Sequence, residues 1–327
     1  MRYDAAIVGG GPAGLNAALV LARCRRSVVV IDAGKPRNYA ARHLHNFLSR
    51  EGVNPARLLA MGRREVARLG VEFRSDVVCD AVACGGGFSL RLKSRRVIRA
   101  RTLLLATGVV DELPRIGNVE AFYGVGVHHC PYCDGYTYSD RALCAYGEGH
   151  AGLGLALNLL TWTRNVTVLT NGCEPDRKIM REAARFGIRV CGERIEGLVS
   201  RRGKDVGSER DPLRGVRLGD GTEVACDGLF FNTEQTQRSG LPRVLGCRID
   251  ESGGVIHDKR QRTGVSGLYL AGDASVDVQF VIVAAAEGAK AGMAMNREMQ
   301  MEDRARERSG DGDRESAIGK REDNRGD

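Results

Sequence analysis

Ala5-Ala6-Ile7-Val8-Gly9-Gly10-Gly11-Pro12-Ala13-Gly14 is a short apolar run closed by a glycine turn, and the apolar residues 15–22 continue it with helical character. Strand, glycine turn and helix in that order open a dinucleotide-binding unit. Gly9 makes the tight turn, Gly11 lets backbone approach a pyrophosphate, and Gly14 lets helix pack on strand. Pro12 and Ala13 complete the turn at the helix N-terminus, where free amides and the dipole favour an anion. A second apolar run, Val28-Val29-Val30-Ile31, ends in Asp32, 23 positions beyond Gly9. A carboxylate there accepts hydrogen bonds from ribose hydroxyls. A glycine motif alone is weak; strand, motif, helix, strand and acid in register specify an α/β nucleotide fold.

The chain has 327 residues, 43% of them apolar, which is enough for two cores of ordinary size. Its net charge of +8 comes from 49 basic and 41 acidic residues. Arginines cluster at Arg23, Arg25 and Arg26 and at Arg95, Arg96, Arg99 and Arg101, without interleaved aromatics. That pattern fits a solvated basic surface and argues against nucleic acid. The start at Met1 lacks a signal-peptide pattern, and no apolar run approaches the roughly 20 residues that span a bilayer. We therefore expect no membrane association and a cytoplasmic protein. Ten cysteines in such a compartment are mostly thiols, and eight of them, Cys24, Cys79, Cys84, Cys144, Cys173, Cys191, Cys226 and Cys247, read as small apolar fillers.

Only Cys130-Pro131-Tyr132-Cys133-Asp134-Gly135 has redox spacing. Two thiols with two residues between them close a reversible disulfide, and an acid behind the second can move the proton that thiol exchange sheds. The same spacing is half of a zinc knuckle, but the next ligands, Cys144 and His150, form no second close pair, so no metal is expected. His128 and His129 precede the dithiol. An imidazolium there lowers a thiol pKa or takes a proton, and a packed or solvated ring is the other reading; His129 is carried forward as a catalytic candidate.

Further features surround this centre. Residues 97–105 form an alternating, then apolar strand ending in Ala106-Thr107-Gly108, a small-residue turn where backbone can approach a cofactor. His43, His45 and Asn46 fit a flavin-lining segment and an exposed loop equally. A second fingerprint, Gly147-Glu148-Gly149-His150-Ala151-Gly152, lies between an apolar strand at 143–146 and an apolar helix at 153–160, with a strand at 166–169 beyond. The position matching Asp32 is Thr170, so no acid stands there. Helices are expected at 57–69 and from 279 towards 298, and an exposed hairpin tip at Arg201-Arg202-Gly203-Lys204.

These motifs, with Gly267-Leu268-Tyr269-Leu270-Ala271-Gly272-Asp273 near the end, occur in the order found in low-molecular-weight thioredoxin reductases. Over residues 4–300 the chain resembles that flavoprotein disulfide reductase family. The resemblance implies two Rossmann-like domains, a nicotinamide domain at 121–232 inserted in a discontinuous FAD domain at 1–120 and 233–301, and a homodimer. It implies that Gly9, Gly11, Gly14 and Asp32 hold the ADP half of FAD, and that Gly272 and Asp273 hold the pyrophosphate and ribityl chain. Gln279 stands where the family approaches the flavin's pyrimidine end, though without the arginine often beside it. Cys133 becomes the flavin-side thiol, Cys130 the exchanging thiol and Asp134 the acid/base.

Gly147, Gly149 and Gly152 would then bind NADPH or NADH. The basic cluster that NADPH users place after the second strand is replaced by Thr170-Asn171-Gly172, with Arg177, Lys178 and Arg181 just beyond. The implied partner is a thioredoxin-like protein or a small-molecule disulfide or dithiol. Two alternatives stand: a dithiol oxidase that passes electrons to oxygen, and a flavin-bound redox sensor without turnover. Residues 302–327, charged and without apolar periodicity, are expected to be a disordered tail.

Overall fold

The computed structural model describes residues 2–200 and 213–309. The chain divides into two compact units. The first comprises Met1–Pro36, Leu59–Val109 and Gln237–Asp327, and the second Arg37–Leu58 and Val110–Thr236. The chain crosses between the units at 109/110 and 236/237, whereas the expected boundaries are 120/121 and 232/233. The assignment of 37–58 to the second unit is new: this loop has its own ties to the segment at 110–236.

The first unit is built on a seven-stranded sheet. Arg2–Val8 is flanked in parallel by Val28–Asp32 and Val97–Leu105, and Glu72–Ser75 extends the parallel edge. The strand Val97–Leu105 serves two neighbours along its other side. Its first half pairs antiparallel with Gly87–Leu92, and its last three residues pair parallel with Leu268–Leu270. That arrangement brings the ends of three strands, at Val8, Leu105 and Leu270, to one side of the sheet, where ligands bind in open α/β sheets.

The helix Pro12–Arg23 follows the glycine turn with Pro at its first turn, where a missing amide costs nothing. Ala13, Ala17, Ala18 and Leu21 join a core with Ala284, Ala291, Met295 and Met299 of the helix Val281–Arg308. The two helices touch because Gly288 has no side chain: a Cβ there would fall 2.0 Å from the Ala13 carbonyl oxygen.

This last helix corrects two expectations. It begins at Val281, so Gln279 lies in the loop before it, and it continues to Arg308, through positions 302–308 assigned to a disordered tail. Composition missed the reason, which is tertiary. Arg101 pairs with Glu302 at 2.9 Å and Asp303 at 2.7 Å, and Arg26 pairs with Asp303 at 2.8 Å. The remainder of the expected tail, from 310, lies outside the described residues, as does the expected hairpin tip at 201–204.

The second unit carries a five-stranded parallel sheet in the order Arg189–Cys191, Val166–Leu169, Leu143–Tyr146, Gly228–Phe231, Val127–His128. The helix Gly149–Leu159 packs on it through Leu153, Leu155, Ala156 and Leu159. A three-stranded antiparallel sheet of Ile195–Ser200, Leu213–Leu218 and Glu223–Ala225 completes the unit. Both units are thus α/β with Rossmann-like parallel sheets.

Candidate active site

The strand Val127–His128 delivers the chain to Cys130, which caps the single helical turn Pro131–Asp134. Cys130 and Cys133 form a disulfide with Cα atoms 5.3 Å apart, and Cys130 Sγ accepts a hydrogen bond from Cys133 N at 3.1 Å. Pro131 presets the first helical φ. Gly135 has to be glycine because the Trp162 indole lies over it, 2.7 Å from where a Cβ would stand. Tyr132, between the two cysteines and 65% exposed, meets the same indole edge-on at 5.9 Å. The pair therefore sits on a turn braced by Trp162, with Tyr132 exposed between two half-buried cysteines.

Of the two histidines, His128 is the one brought to the acid. Its Nδ1 lies 3.3 Å from Asp134 Oδ2 and its Nε2 lies 2.9 Å from the Tyr138 hydroxyl, which donates on to the Val125 carbonyl. Burial pushes the Asp134 carboxyl up, but the charge and hydrogen bond of His128, helped by His129 and His45, outweigh it and hold the group below its ordinary value. Burial, with the Asp134 charge, raises Tyr138. The result is a line of proton-exchanging groups, Asp134, His128 and Tyr138, starting one residue from Cys133.

His129, the sequence candidate, faces elsewhere. Its Nδ1 lies 3.3 Å from the Tyr123 hydroxyl, and its ring packs near Phe231. Burial holds it below the usual histidine value, against the pull of Asp111, and pushes Tyr123 up to about 12. Position in the sequence does not separate the two histidines. Alternation along the strand does not either: Val127 and His128 are both buried, as in a strand covered on both faces, and only the contacts of the folded chain distinguish His128 from His129.

Asn46 is also relocated. Its Nδ2 donates to the Tyr132 carbonyl at 2.7 Å, and its backbone amide donates to Glu51 at 2.9 Å. It steadies the dithiol turn, a contact across 86 positions that sequence spacing does not signal. Of the eight other cysteines, Cys144, Cys226 and Cys247 are buried, as expected of fillers, and burial raises the thiols of Cys226 and Cys247. Cys24, Cys79, Cys84 and Cys173 are exposed, a correction to that reading.

The first unit gathers the other motif residues at its strand ends. A Cβ on Gly9 would fall 2.1 Å from the Ala106 carbonyl oxygen, so the first glycine turn and the Ala106-Thr107-Gly108 turn lie in contact. Above Gly11 the space is open, with nothing within 4 Å of an added Cβ. Thr107 Oγ1 is buried with no hydrogen-bond partner. An orphaned hydroxyl beside an open glycine turn is what a cradle for a polar cofactor presents. Asp32 folds back against this turn, its carboxylate 2.8 Å from a Cβ on Gly10, and pairs with Arg63, whose guanidinium lies 5.4 Å from the Phe73 ring centroid. Gly272, with φ of 85°, follows Leu268–Leu270, and Gln279 Nε2 donates to the Asp273 carbonyl at 3.3 Å. These residues would fit the phosphates of an FAD.

In the second unit, Gly147 and Gly152 touch as Gly9 and Gly14 do, while the strand end beyond them is closed by its own side chains. Thr170 Oγ1 donates to the Cys173 carbonyl. Asn171 Oδ1 accepts from Ile195 N at 2.8 Å, and its Nδ2 donates to the Tyr146 hydroxyl at 3.4 Å. The Cys173 thiol is raised by its hydrogen bond to Glu148. Asp176 accepts from the amides of Lys178 and Ile179 at the start of Arg177–Arg185. Among the described residues no group of His, Cys, Asp or Glu side chains has metal-binding geometry, and no helix is long and apolar enough to cross a membrane.

Comparison with known proteins agrees with this geometry. The family model "Pyridine nucleotide-disulphide oxidoreductase" matches residues 3–288. A "Probable thioredoxin reductase" of Arthroderma benhamiae is 29% identical over 303 residues, spanning 84% of this chain and 75% of the relative. The solved structure of HlmI is 35% identical with a TM-score of 0.86, covering 94% of this chain and 97% of that one. The putative thioredoxin reductase TrxB of Bacillus anthracis is 30% identical with a TM-score of 0.85, covering 92% and 99%. The chain is an enzyme of the pyridine nucleotide-disulphide oxidoreductase family, of the thioredoxin reductase-like kind.

Proposed function

We propose that the protein is an FAD-dependent thiol–disulfide oxidoreductase whose Cys130/Cys133 pair carries two electrons between a nicotinamide nucleotide and an external disulfide. The observation that carries this reading is the Cys130–Cys133 disulfide beside the Asp134–His128 pair. Bound FAD supplies the two-electron transfer that links nucleotide and disulfide. Gly9, Gly11, Pro12, Ala13, Gly14, Ala106, Thr107, Gly108, Gly272 and Asp273 would hold its phosphates and ribityl chain, and Asp32 its ribose.

In the reduced pair the Cys130 thiolate attacks one sulfur of the substrate disulfide, forming a mixed disulfide and releasing one substrate thiolate. Cys133 then attacks Cys130 Sγ, re-forming Cys130–Cys133 and releasing the second thiolate. Each released thiolate takes one proton. Asp134 with His128 handles the proton at Cys133, and Tyr138 holds the far side of the imidazole. The working unit is a homodimer, as the resemblance implies.

A second reading is favoured by the 170–173 segment. Thr170 and Asn171 are spent on backbone and tyrosine contacts, and the segment 170–172 itself contributes no arginine for a 2′-phosphate, although Arg194 packs beside Gly172. A dithiol oxidase that forms a disulfide in a small molecule with oxygen as acceptor needs no such site.

Anaerobic titration of the flavin-loaded protein separates the two. Bleaching of oxidised flavin by NADH or NADPH supports the reductase. Bleaching by a small dithiol alone, with peroxide released on aeration, supports the oxidase. Cys130→Ser is expected to abolish turnover in either case and leave FAD bound; full activity in that variant would remove the dithiol from the mechanism.

A further inference from the structure

Behind the Gly272 turn lies a buried acid–histidine pair that thiol exchange does not use. Glu287, on Val281–Arg308, is 2% exposed. Its Oε2 accepts from Gly272 N at 2.6 Å, and its Oε1 lies 3.5 Å from Ser275 Oγ and 3.9 Å from His257 Nε2. His257 Nδ1 lies 2.9 Å from the Asp258 carbonyl oxygen, which only accepts, so that nitrogen carries its hydrogen. In a neutral ring Nε2 is then a bare lone pair. It is buried and has no hydrogen-bond partner. A bare nitrogen 3.9 Å from a carboxylate sets two acceptors against each other away from water, and a single proton on either one removes that opposition.

We propose that Glu287 and His257 hold one shared proton, and that this proton neutralises the carboxylate behind Gly272-Asp273 so that the turn accepts the flavin diphosphate. The inference rests on the FAD reading above. Glu287 is a positioning residue in this scheme: it fixes the left-handed Gly272 backbone through one hydrogen bond and never touches the cofactor. Without the shared proton the same carboxylate puts a negative charge directly behind a site meant for an anion. Burial pushes the Glu287 carboxyl up, while the Gly272 amide, His257 and Lys290 oppose it and Asp277 adds to it. Lys290 lies one turn further along the same helix, and Asp277 lies in the loop before it.

The test is FAD binding to the apoprotein, read from flavin fluorescence between about pH 6 and about pH 9. For the wild type, Kd is expected to rise with pH as the shared proton is lost. Glu287→Gln keeps an acceptor for Gly272 N and offers Nε2 a donor that does not titrate, so its profile is expected to be flat. His257→Ala strands the carboxylate and is expected to weaken FAD binding about tenfold or more at neutral pH. Adding Glu287→Gln to His257→Ala is expected to restore it, a rescue that loss of packing does not give.

A flat wild-type profile, or a double variant that binds no better than His257→Ala, overturns the pairing. If His257→Ala fails to fold, the contrast between the wild-type and Glu287→Gln profiles decides the matter. Wild-type apoprotein that binds no FAD at any pH sinks the FAD reading and the pairing together; FAD binding with a flat profile sinks the pairing alone.

Discussion

At 9–14 and again at 147–152 the chain makes the same glycine turn. A Cβ on the last glycine would fall 1.9 Å from the Gly9 carbonyl oxygen in the first and 2.2 Å from the Gly147 carbonyl oxygen in the second. Both helices pack on their strands only because that atom is missing. Beyond the turns the two sites diverge. The first ends in Asp32, folded against Gly10 and paired with Arg63, near an orphaned Thr107 hydroxyl and open space at Gly11. The second ends in Thr170 and Asn171, whose side chains already have partners, while Glu148 engages Cys173. One turn keeps unmet hydrogen-bonding capacity for a ligand, and the other has used much of its own. The packing device is shared, whereas readiness to bind is local chemistry.

The sharpest way to break this comparison is to fill each turn. Gly14→Val puts side-chain atoms where backbone stands and is expected to destabilise the first unit by about 3 kcal/mol or more, with loss of bound flavin. Gly152→Val is expected to cost a similar amount in the second unit and to leave flavin bound. Thermal midpoints with flavin absorbance check both, and flavin loss in both variants would erase the distinction.

Next in size is Thr107→Val. Removing a hydroxyl that awaits a ligand is expected to weaken FAD binding by about 1 kcal/mol while leaving the apoprotein as stable or more so. An apoprotein clearly less stable than wild type would mean that the hydroxyl already serves the fold.

A smaller effect is expected in nucleotide choice. NADH should bleach the flavin at least as fast as NADPH, because the segment 170–172 contributes no guanidinium of its own; a strong NADPH preference would assign the 2′-phosphate to Arg194, which packs beside Gly172, or to Arg177, Lys178 or Arg181. Smallest is Asp176→Ala, which removes a helix cap and is expected to cost about 1 kcal/mol in the second unit, with flavin content unchanged.

Much of this was legible in the chain. Gly9, Gly14 and Asp32 could be read because a dinucleotide turn is set by local geometry at fixed spacing, and Cys130 and Cys133 because a disulfide three residues apart needs one helical turn. His128 rather than His129 reaching Asp134, and Asn46 reaching Tyr132, follow from which way strand and loop side chains point. The 302–308 segment looked like a tail because its charges have no local partners; Arg26 and Arg101, hundreds of positions away in the chain, hold it in the helix.

The sequence by itself determined two α/β nucleotide folds and a dithiol, since each depends on residues within one turn of the backbone or one strand–helix–strand unit. Only the tertiary structure decided which histidine meets the acid, that Thr107 stays unpartnered, that Thr170 and Asn171 are spent, and that Glu287 and His257 face each other. Those are contacts between distant segments, and burial fixes their strength by removing the water that would otherwise satisfy each group separately.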